Sequence, residues 1–463
     1  MYIRGVRPAV LPHYFGLCLV LACEPVIAHA GGLVTTSSPR SIGRAGTATV
    51  GDDGGGALLV NPAAIARRDT KRGELGVVFV DDELDWQSDA EGAPNVRDQA
   101  PSSVAPYAAA FASFGGWTLG VGLMTSAVSD RSLRRPTDVA DPANIDEAFD
   151  FRYAGIAGGV RRDTFTAGIA RRLGDSLALG IGVAASRVSV IEIRRMWAGF
   201  SGRDDIGSAV NDLEIGFEGA DSFVPSAVAG LLFIAEESPL ELGASVSWID
   251  TAKIDADVVA IGTRPMGPSA SPDVARASLG YQHPVTFRAG ARYVGTRLVG
   301  ELGGEVAVAK RSAENTEWTI RGMQVIDGPS GAMAELAAVP SRISLRTHGA
   351  VRASVDIEMI AGFLWATAGY AHVIGSVTST KQSPTFGDLG GETLGLGLEG
   401  RAGGFTFTLG WARTWSRARS IRESSLALDN PFLGGDAAVP AGVYDASIDQ
   451  IGILIDAELD PIR

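Results

Sequence analysis

The chain has 463 residues, of which 59 are glycine and two are cysteine, and its formal net charge at pH 7 is -13. This acidic balance argues against a nucleic-acid partner, which would need a basic stripe. Both cysteines, Cys18 and Cys23, lie among the first thirty residues, so a chain cut after Ala30 has no disulfide and no thiolate metal site.

The first predicted element is a secretory signal peptide over residues 1–30. Arg4 and Arg7 precede an apolar run from Phe15 to Ala22, and Ala28-His29-Ala30 has the small-x-small form of a cleavage site. A membrane anchor helix is disfavoured because the apolar run is shorter than the roughly 18 to 20 residues that a bilayer crossing needs.

Processing as a lipoprotein is an alternative at this end of the chain. Val20-Leu21-Ala22-Cys23 loosely matches a site of cleavage and acylation at Cys23. The glycine-rich segment that follows begins directly after Ala30, which favours the later cut. The mature chain is therefore expected to begin at Gly31.

From residue 73 onward, large apolar residues alternate with small or polar ones. In Phe405–Ala412 every odd position is large and apolar and every even position is small or polar. Such alternation is typical of strands with one face in lipid, although a soluble β-sandwich would alternate too. Twelve to fourteen strand candidates lie between Gly73 and Leu459. The clearest others are 117–124, 177–184, 240–248, 394–398 and 451–455.

Tight turns and long polar connections alternate along this region, as they do around a membrane barrel. Phe114-Gly115-Gly116-Trp117 and Val294-Gly295-Thr296-Arg297 predict two-residue hairpin turns. The predicted long connections are 129–150, 197–222, 261–276, 312–340, 376–392 and 417–445. Aromatic residues lie near strand ends, where an interfacial belt would place them: Trp86, Trp117, Trp248, Trp365, Tyr370, Trp411 and Trp415.

Three short motifs in the segment after the signal carry a resemblance to a known family. Ser41-Ile42-Gly43-Arg44-Ala45, Asp52-Asp53 and Asn61-Pro62-Ala63 occur in the order seen in the N-terminal hatch of the FadL/TodX family. These are outer-membrane channels that admit long-chain fatty acids and other hydrophobic molecules. Taken alone, Asn61-Pro62 would also suit an ordinary turn. Later segments that resemble successive hairpins of the family are 164–184, 223–248, 284–293, 346–372 and 393–411.

The resemblance implies an all-β chain: an antiparallel transmembrane β-barrel of about 14 strands (residues 73–463) with an N-terminal hatch (31–72) in its lumen. It implies a multi-pass outer-membrane protein, monomeric and without a cofactor, that passively transports hydrophobic small molecules and contacts outer-membrane lipid. The alternative is a structural or adhesive surface barrel without transport activity. The C-terminus departs from the usual barrel pattern because it lacks a terminal aromatic residue.

A predicted ligand-binding wall follows from the first tight turn. If Phe114 pairs with Trp117, the inner face carries Tyr107, Phe111 and Met124 together with Gly120 and Gly122. An apolar lumen wall of this kind would contact a hydrophobic ligand. The resemblance also implies a kink in the third strand that opens a side window, which Gly120 and Gly122 could supply; the alternative is that Phe111 merely covers these glycines. The gate residues implied by the hatch are Asn61, Pro62 and Ala63.

The second turn predicts a charged wall. Arg288, Arg292, Glu301 and Glu305 would lie on the inner face as a ladder that braces the barrel. Arg292 is the best candidate for a carboxylate-binding residue if the channel captures one.

Catalysis finds little support in the sequence. His283, His348 and His372 are isolated, and neither an HExxH nor a GxSxG motif is present. We therefore expect neither an enzyme nor a metal site.

Overall fold

The computed structural model describes residues 38–88, 95–133, 153–199, 209–234, 238–263, 267–271, 275–327, 330–416, 418–422, 432 and 441–459. The predicted signal peptide, Cys23 and the start of the predicted hatch at residues 31–37 lie outside the described residues. None of the described helices is long and apolar enough to cross a membrane.

The described chain is built mainly of strands, and its helices are short. The helices are α1 (Pro39–Ile42) and α2 (Ala57–Val60), with 3₁₀ turns at Pro62–Arg67, Ala209–Asn211, Arg311–Glu314 and Ser379–Lys381. The strands are β1 (Arg72–Ser88), β2 (Asn95–Arg97), β3 (Ser103–Phe114), β4 (Trp117–Ser132), β5 (Ala157–Leu173), β6 (Leu177–Trp197), β7 (Asp212–Ile234), β8 (Leu240–Ile249), β9 (Ala252–Gly262), β10 (Ser269–Ala270), β11 (Ala275–Tyr281), β12 (Val285–Val294), β13 (Leu298–Val308), β14 (Glu317–Arg321), β15 (Gln324–Ile326), β16 (Met333–Glu335), β17 (Ala338–Pro340), β18 (His348–Ile360), β19 (Leu364–Val373), β20 (Gly391–Ala402), β21 (Phe405–Trp415), β22 (Arg419–Ile421) and β23 (Gly442–Glu458).

Fourteen of these strands close into an antiparallel barrel. The ring order is β1, β3, β4, β5, β6, β7, β8, β12, β13, β18, β19, β20, β21 and β23. The ring closes where β23 pairs with β1 from Arg72 opposite Glu458 to Ser88 opposite Gly442. The strand count agrees with the prediction from the sequence.

The outer face of the barrel is apolar in a continuous band. Phe405 and Phe407 are 49% and 52% exposed, and Ile451, Ile453 and Ile455 form an exposed row on β23. An outward band of large apolar side chains is what a barrel presents to lipid, and it excludes the β-sandwich, in which these residues would be covered. Trp86 departs from the predicted aromatic belt because it is fully buried beside Tyr444.

The first predicted hairpin is confirmed, and the second is corrected. Phe114 pairs with Trp117 and Ala110 with Val121 across the Gly115-Gly116 turn. At the second turn Val294 pairs with Val299 rather than Arg297, so the connection is two residues longer than predicted. A shift of two residues leaves every side chain on its predicted face because the strand period is two.

One end of the barrel, here called the loop side, continues into a further sheet; the opposite end, with the tight turns, is the turn side. The first half of β7 pairs with β9, and the sheet extends through β11 and β14 to β17. Its core includes Phe217 and Trp318, whose rings stack with centroids 4.6 Å apart. The predicted polar connections at 261–276 and 312–340 therefore contain strands, which were missed because their apolar faces cover this separate core.

Candidate functional site: a filled lumen and a cavity

Residues 38–71, here called the inner segment, lie inside the barrel. Two local signals shape it. Ser38 caps α1 by accepting the main-chain N–H of Ser41 at 3.2 Å, and Pro39 occupies the first helical position. Asn61 caps the 3₁₀ turn that begins at Pro62, accepting the N–H of Ala63 at 3.3 Å.

The inner segment packs against a belt of glycines on the inner face of the barrel, which we call the glycine girdle. Every barrel strand except β3 and β18 contributes at least one. A Cβ atom built on Gly369 would lie 2.2 Å from the carbonyl carbon of Arg44, and one on Gly230 would lie 2.0 Å from Oδ1 of Asn61. The girdle consists of Gly76, Gly120, Gly168, Gly180, Gly182, Gly230, Gly243, Gly290, Gly303, Gly369, Gly395, Gly397, Gly410 and Gly452.

The girdle explains why glycine alternates with large apolar residues along so many strands. The outward position needs a large side chain for lipid, whereas the inward position must let the main chain of the inner segment approach the wall. The predicted gate residues lie at this contact. Pro62 and Ala63 rest on Gly180, and the Asn61 side chain donates to the carbonyl oxygens of Thr49 at 2.8 Å and Leu231 at 3.2 Å.

Gly120 and Gly122 also belong to this packing, and neither introduces a kink. Both pair regularly with β3 and β5. Phe111 and Leu58 cover Gly120, and Met124 and Leu58 lie against Gly122. The geometry at Gly120 thus matches the alternative in which Phe111 covers the glycine.

Arginines of the inner segment bind acidic residues of the barrel wall. Arg44 pairs with Asp356 at 2.8 Å and Arg67 with Glu241 at 2.6 Å. Near the turn side, Arg68 contacts Asp456 of β23 at 2.8 Å. Burial of such charges costs free energy that these short, charge-assisted contacts offset, and the geometry fixes the orientation of the segment.

Asp53 lies at the centre of the cluster on the turn side. Its carboxylate is 2.9 Å from Arg68, 3.0 Å from Arg40 and 3.7 Å from Arg72. Burial raises the pKa of Asp53, but Arg68, Arg72 and Arg40 lower it by more, so the pKa lies far below its usual value. Asp52 and Asp53 are therefore packed residues rather than the solvated turn that adjacent acids would suggest.

The predicted charge ladder on β12 and β13 is present and extends onto neighbouring strands. Arg288 pairs with Glu305 at 3.1 Å, and Arg292 pairs with Glu241 of β8 at 3.0 Å. Glu301 instead binds the inner segment, accepting the main-chain N–H groups of Val50 and Gly51 at 2.8 Å each. Since Arg292 already has a carboxylate partner, the geometry favours bracing over ligand capture for this residue.

The predicted apolar wall lies beneath the inner segment. Tyr107 donates to Glu74 at 2.7 Å and accepts the N–H of Gly56 at 3.1 Å. Phe111 is 5% exposed and lies under the guanidinium of Arg72, 4.2 Å from the ring centroid. Met124, like Tyr107 and Phe111, is buried. The three side chains thus lie on the inner face, as predicted, but are covered.

A cavity of about 330 Å³ lies on the loop side of the inner segment. Its floor is formed by Ala45–Thr49 and Leu58–Val60. Its wall is mixed in character, with apolar groups such as Val228 and Ile249 and many polar ones. The polar lining includes Ser126, Arg131, Arg162, Thr164, Ser186, Ser247, His283, Arg288, Glu305, His348, Arg352, Asp388, Thr393 and Thr414.

The barrel wall separates next to this cavity. The pairing of β3 with β4 ends at Tyr107 and Met124, and beyond that point Ser103–Pro106 pairs with β1 while β4 pairs with β5. A bulge interrupts β4 between Thr125 and Ala127. Arg161 of β5 spans the gap and donates to the carbonyl oxygen of Val104 at 3.2 Å. The irregularity therefore lies a few residues beyond Gly122.

Sequence reasoning missed the polar residues of the cavity, above all Arg162. The signal for it was available, because Arg162, Thr164, Thr166 and Gly168 share one parity and Phe165 has the other. With Phe165 facing lipid, Arg162 must face the lumen. Among the residues that the structure describes, no group of histidine, cysteine and acidic side chains could hold a metal ion.

The architecture matches solved structures of a FadL homologue and of toluene transporters. A FadL homologue of Pseudomonas aeruginosa superimposes with a TM-score of 0.69 at 13% identity, covering 93% of this chain and 100% of that one. The fold is that of the FadL and TodX channels. The toluene transporter TbuX of Ralstonia pickettii gives a TM-score of 0.63 at 11% identity, and TodX of P. putida gives 0.62 at 14%; each match covers 91% of this chain and 98% of the other.

The similarity lies in the fold and hardly in the sequence. No protein-family model matches the sequence, and neither does any curated protein. The fold that the N-terminal motifs implied is confirmed.

Proposed function

We propose that the protein is a passive outer-membrane channel for hydrophobic molecules such as long-chain fatty acids or aromatic hydrocarbons. The observation that carries the proposal is a partly apolar cavity held between the loop side and an inner segment that touches the whole barrel wall. A porin that passes water-soluble solutes would keep this lumen open. Transport would be driven by the concentration gradient of the solute, without a nucleotide, cofactor or enzymatic step.

The structure suggests a route for the solute. It would enter the cavity from the loop side and leave sideways through the gap between β3 and β4, beside the bulge at Ser126. Movement of the inner segment would open a second exit toward the turn side. Asn61, Pro62 and Ala63 would act as the gate at the glycine girdle, together with Gly120 and Gly122, against which Leu58 of the same segment packs.

Movement of the inner segment would also change the lumen wall. Tyr107, Phe111 and Met124 would become exposed and offer an apolar contact to the solute. Arg292 would keep its bracing role. In this scheme residues 1–30 direct export and are removed, residues 31–72 form the hatch, and residues 73–463 form a monomeric barrel that contacts outer-membrane lipid.

Uptake by cells tests the proposal. Cells that express the chain should take up labelled oleate or toluene faster than cells without it. A matched control is a chain whose inner segment is held at the wall by a chemical cross-link between cysteines that replace Ile42 and Ala412, which belong to one buried apolar cluster. This chain should insert normally and transport less. Equal uptake by all three strains would refute transport and leave a structural or adhesive barrel.

A further inference from the structure

The cavity has a roof on the loop side as well as a floor. Residues 374–390 connect β19 to β20 at this end of the barrel, and we call them the strap. Ser376 and Asp388 of the strap line the cavity, whereas Ser379 is exposed on the other side of the strap. The strap therefore lies between the cavity and the solvent on the loop side.

The strap reaches the opposite wall of the barrel. In the ring order β5 is fourth and β19 is eleventh of fourteen, so seven places separate them in either direction. A Cβ atom built on Gly158 of β5 would nevertheless lie 2.8 Å from the Cβ of Thr385 and 2.7 Å from Cε2 of Phe386. On the neighbouring strand β4, Nη1 of Arg131 donates to the carbonyl oxygen of Gly387 at 2.6 Å. The strap thus crosses the mouth of the barrel.

Hydrogen bonds within the strap hold it together as one body. Near its ends, the hydroxyl of Ser376 donates to Asp388 at 2.5 Å, and the side chain of Gln382 accepts the main-chain N–H of Asp388 at 2.7 Å. At the far end, Oγ of Ser383 accepts the main-chain N–H of Thr385 at 3.3 Å. A loop that is organised by its own contacts can swing about its ends without losing its conformation.

The strap is fastened to the wall differently from the inner segment. The inner segment is held by ion pairs such as Arg44–Asp356 at 2.8 Å. Among the described residues, no ion pair joins the strap to the barrel wall. Its far end is held by packing on glycine and by the hydrogen bond from Arg131, so the roof of the cavity should open more readily than the floor.

We propose that the strap is a loop-side gate, whose far end must lift from β4 and β5 before a solute enters the cavity. The strap and the inner segment then close the cavity from opposite sides. A solute in the closed cavity is shielded from water on both sides. The inference rests on the proposed passage of solutes through the cavity, and it adds a barrier on the loop side to the one that the inner segment forms.

Labelling of a cysteine in the cavity floor tests the gate. Ala48 lines the cavity and is 3% exposed, and the mature chain cut after Ala30 has no cysteine of its own. An Ala48→Cys chain in lipid nanodiscs should react with a water-soluble maleimide at least about tenfold more slowly than a Ser379→Cys chain, as expected for an open state with a population of roughly 10% or less.

Gly158→Ala should open the strap. The added Cβ would crowd Thr385, whose Cβ is fixed by its main chain, so the labelling rate at position 48 should rise by roughly 5- to 150-fold. Gly400→Ala is the matched control, because a Cβ at this glycine would meet nothing within 4 Å. Neither change should alter the labelling of a Val50→Cys chain, which reports release of the inner segment because Val50 is buried and bonded to Glu301.

A chain without the strap provides a positive control. Val373 and Gly391 pair directly, so a two-residue Asn-Gly turn can replace residues 374–390 and join β19 to β20 as a hairpin. The cysteine at position 48 should then react faster than it does in the parent chain.

Two results would overturn the proposal: equal labelling rates of the Ala48→Cys and Ser379→Cys chains, or an unchanged rate at position 48 in both the Gly158→Ala chain and the chain without the strap. The first comparison decides the question even if these variants do not fold. Toluene uptake separates this inference from the proposed function. Uptake without the expected labelling refutes the gate alone, whereas the expected labelling without any toluene uptake, with or without the strap, supports the gate and refutes the channel.

Discussion

The glycine girdle predicts that one added methyl group will displace the inner segment. In Gly369→Ala the new Cβ would lie 2.2 Å from the carbonyl carbon of Arg44 and 2.6 Å from the nitrogen of Ala45. These neighbours are main-chain atoms and cannot rotate away. The inner segment must therefore retreat, and the Arg44–Asp356 ion pair must shift with it.

The cost can be estimated from the packing. Overfilling a close-packed contact typically costs about 1–3 kcal/mol. If that free energy falls on docking of the inner segment, the ratio of undocked to docked molecules rises by roughly 5- to 150-fold. The barrel itself should be unaffected because strand pairing at Gly369 does not change.

A single cysteine can report the undocked population. The mature chain cut after Ala30 has no cysteine of its own, and Val50 in the inner segment is fully buried against Glu301 of the wall. In a Val50→Cys background, the rate of labelling by a water-soluble maleimide measures how often the segment leaves the wall. We expect Gly369→Ala to raise this rate by roughly 5- to 150-fold.

Two glycines outside the girdle provide matched controls. A Cβ on Gly400 would meet nothing within 4 Å, and one on Gly300 would first meet an atom at 3.9 Å. Gly400→Ala and Gly300→Ala should label at the rate of the parent protein. Heat-modifiable migration on a gel should first show that both barrels are folded. Equal labelling rates of the Gly369→Ala and Gly400→Ala proteins would then refute the role of the girdle in docking the inner segment.

Three further changes test other contacts. Glu301→Gln should speed maleimide labelling because its carboxylate holds two main-chain N–H groups, at a cost of about 1–3 kcal/mol. Asn61→Ala should also speed labelling, because loss of the cap on the 3₁₀ turn destabilises the docked inner segment by about 1 kcal/mol. Burial raises the pKa of Asp388 from 3.8 to about 6, because the buried site favours the protonated carboxyl. The contribution of this carboxyl to the stability of its loop is therefore full below pH 3.8 and is lost as the pH rises through about 6. Amide exchange at Ser376, corrected for intrinsic rate, should therefore quicken over this range.

Each of these predictions has a control. Glu358→Gln changes a glutamate that accepts an N–H in an exposed turn, and it should not alter labelling. Asn315→Ala replaces an exposed asparagine outside the inner segment and should also leave the labelling rate unchanged. Asp388→Asn should abolish the pH dependence of exchange at Ser376; a dependence that persists in this variant would contradict the assignment to Asp388.

Local pattern was sufficient to predict which side chains face outward and which face the lumen. The alternation of Phe405, Phe407 and Leu409 with small residues depends only on the period of a strand, so parity along each strand could be read before any contact was known. The tight turn at Gly115-Gly116 also determined its own register. The turn near Gly295 did not, because its length depends on how β12 and β13 meet their neighbours.

Contacts between residues distant in the sequence depended on closure of the ring. Arg44 and Asp356 are 312 positions apart, and no pattern in either stretch reveals the other. Closure decided that Arg292 would have a carboxylate partner, that Arg162 would have none among the described residues, and that the glycines would meet the main chain of the inner segment. Strand periodicity is a local property of the chain, whereas charge pairing and cavity shape arise only when distant strands enclose a common space.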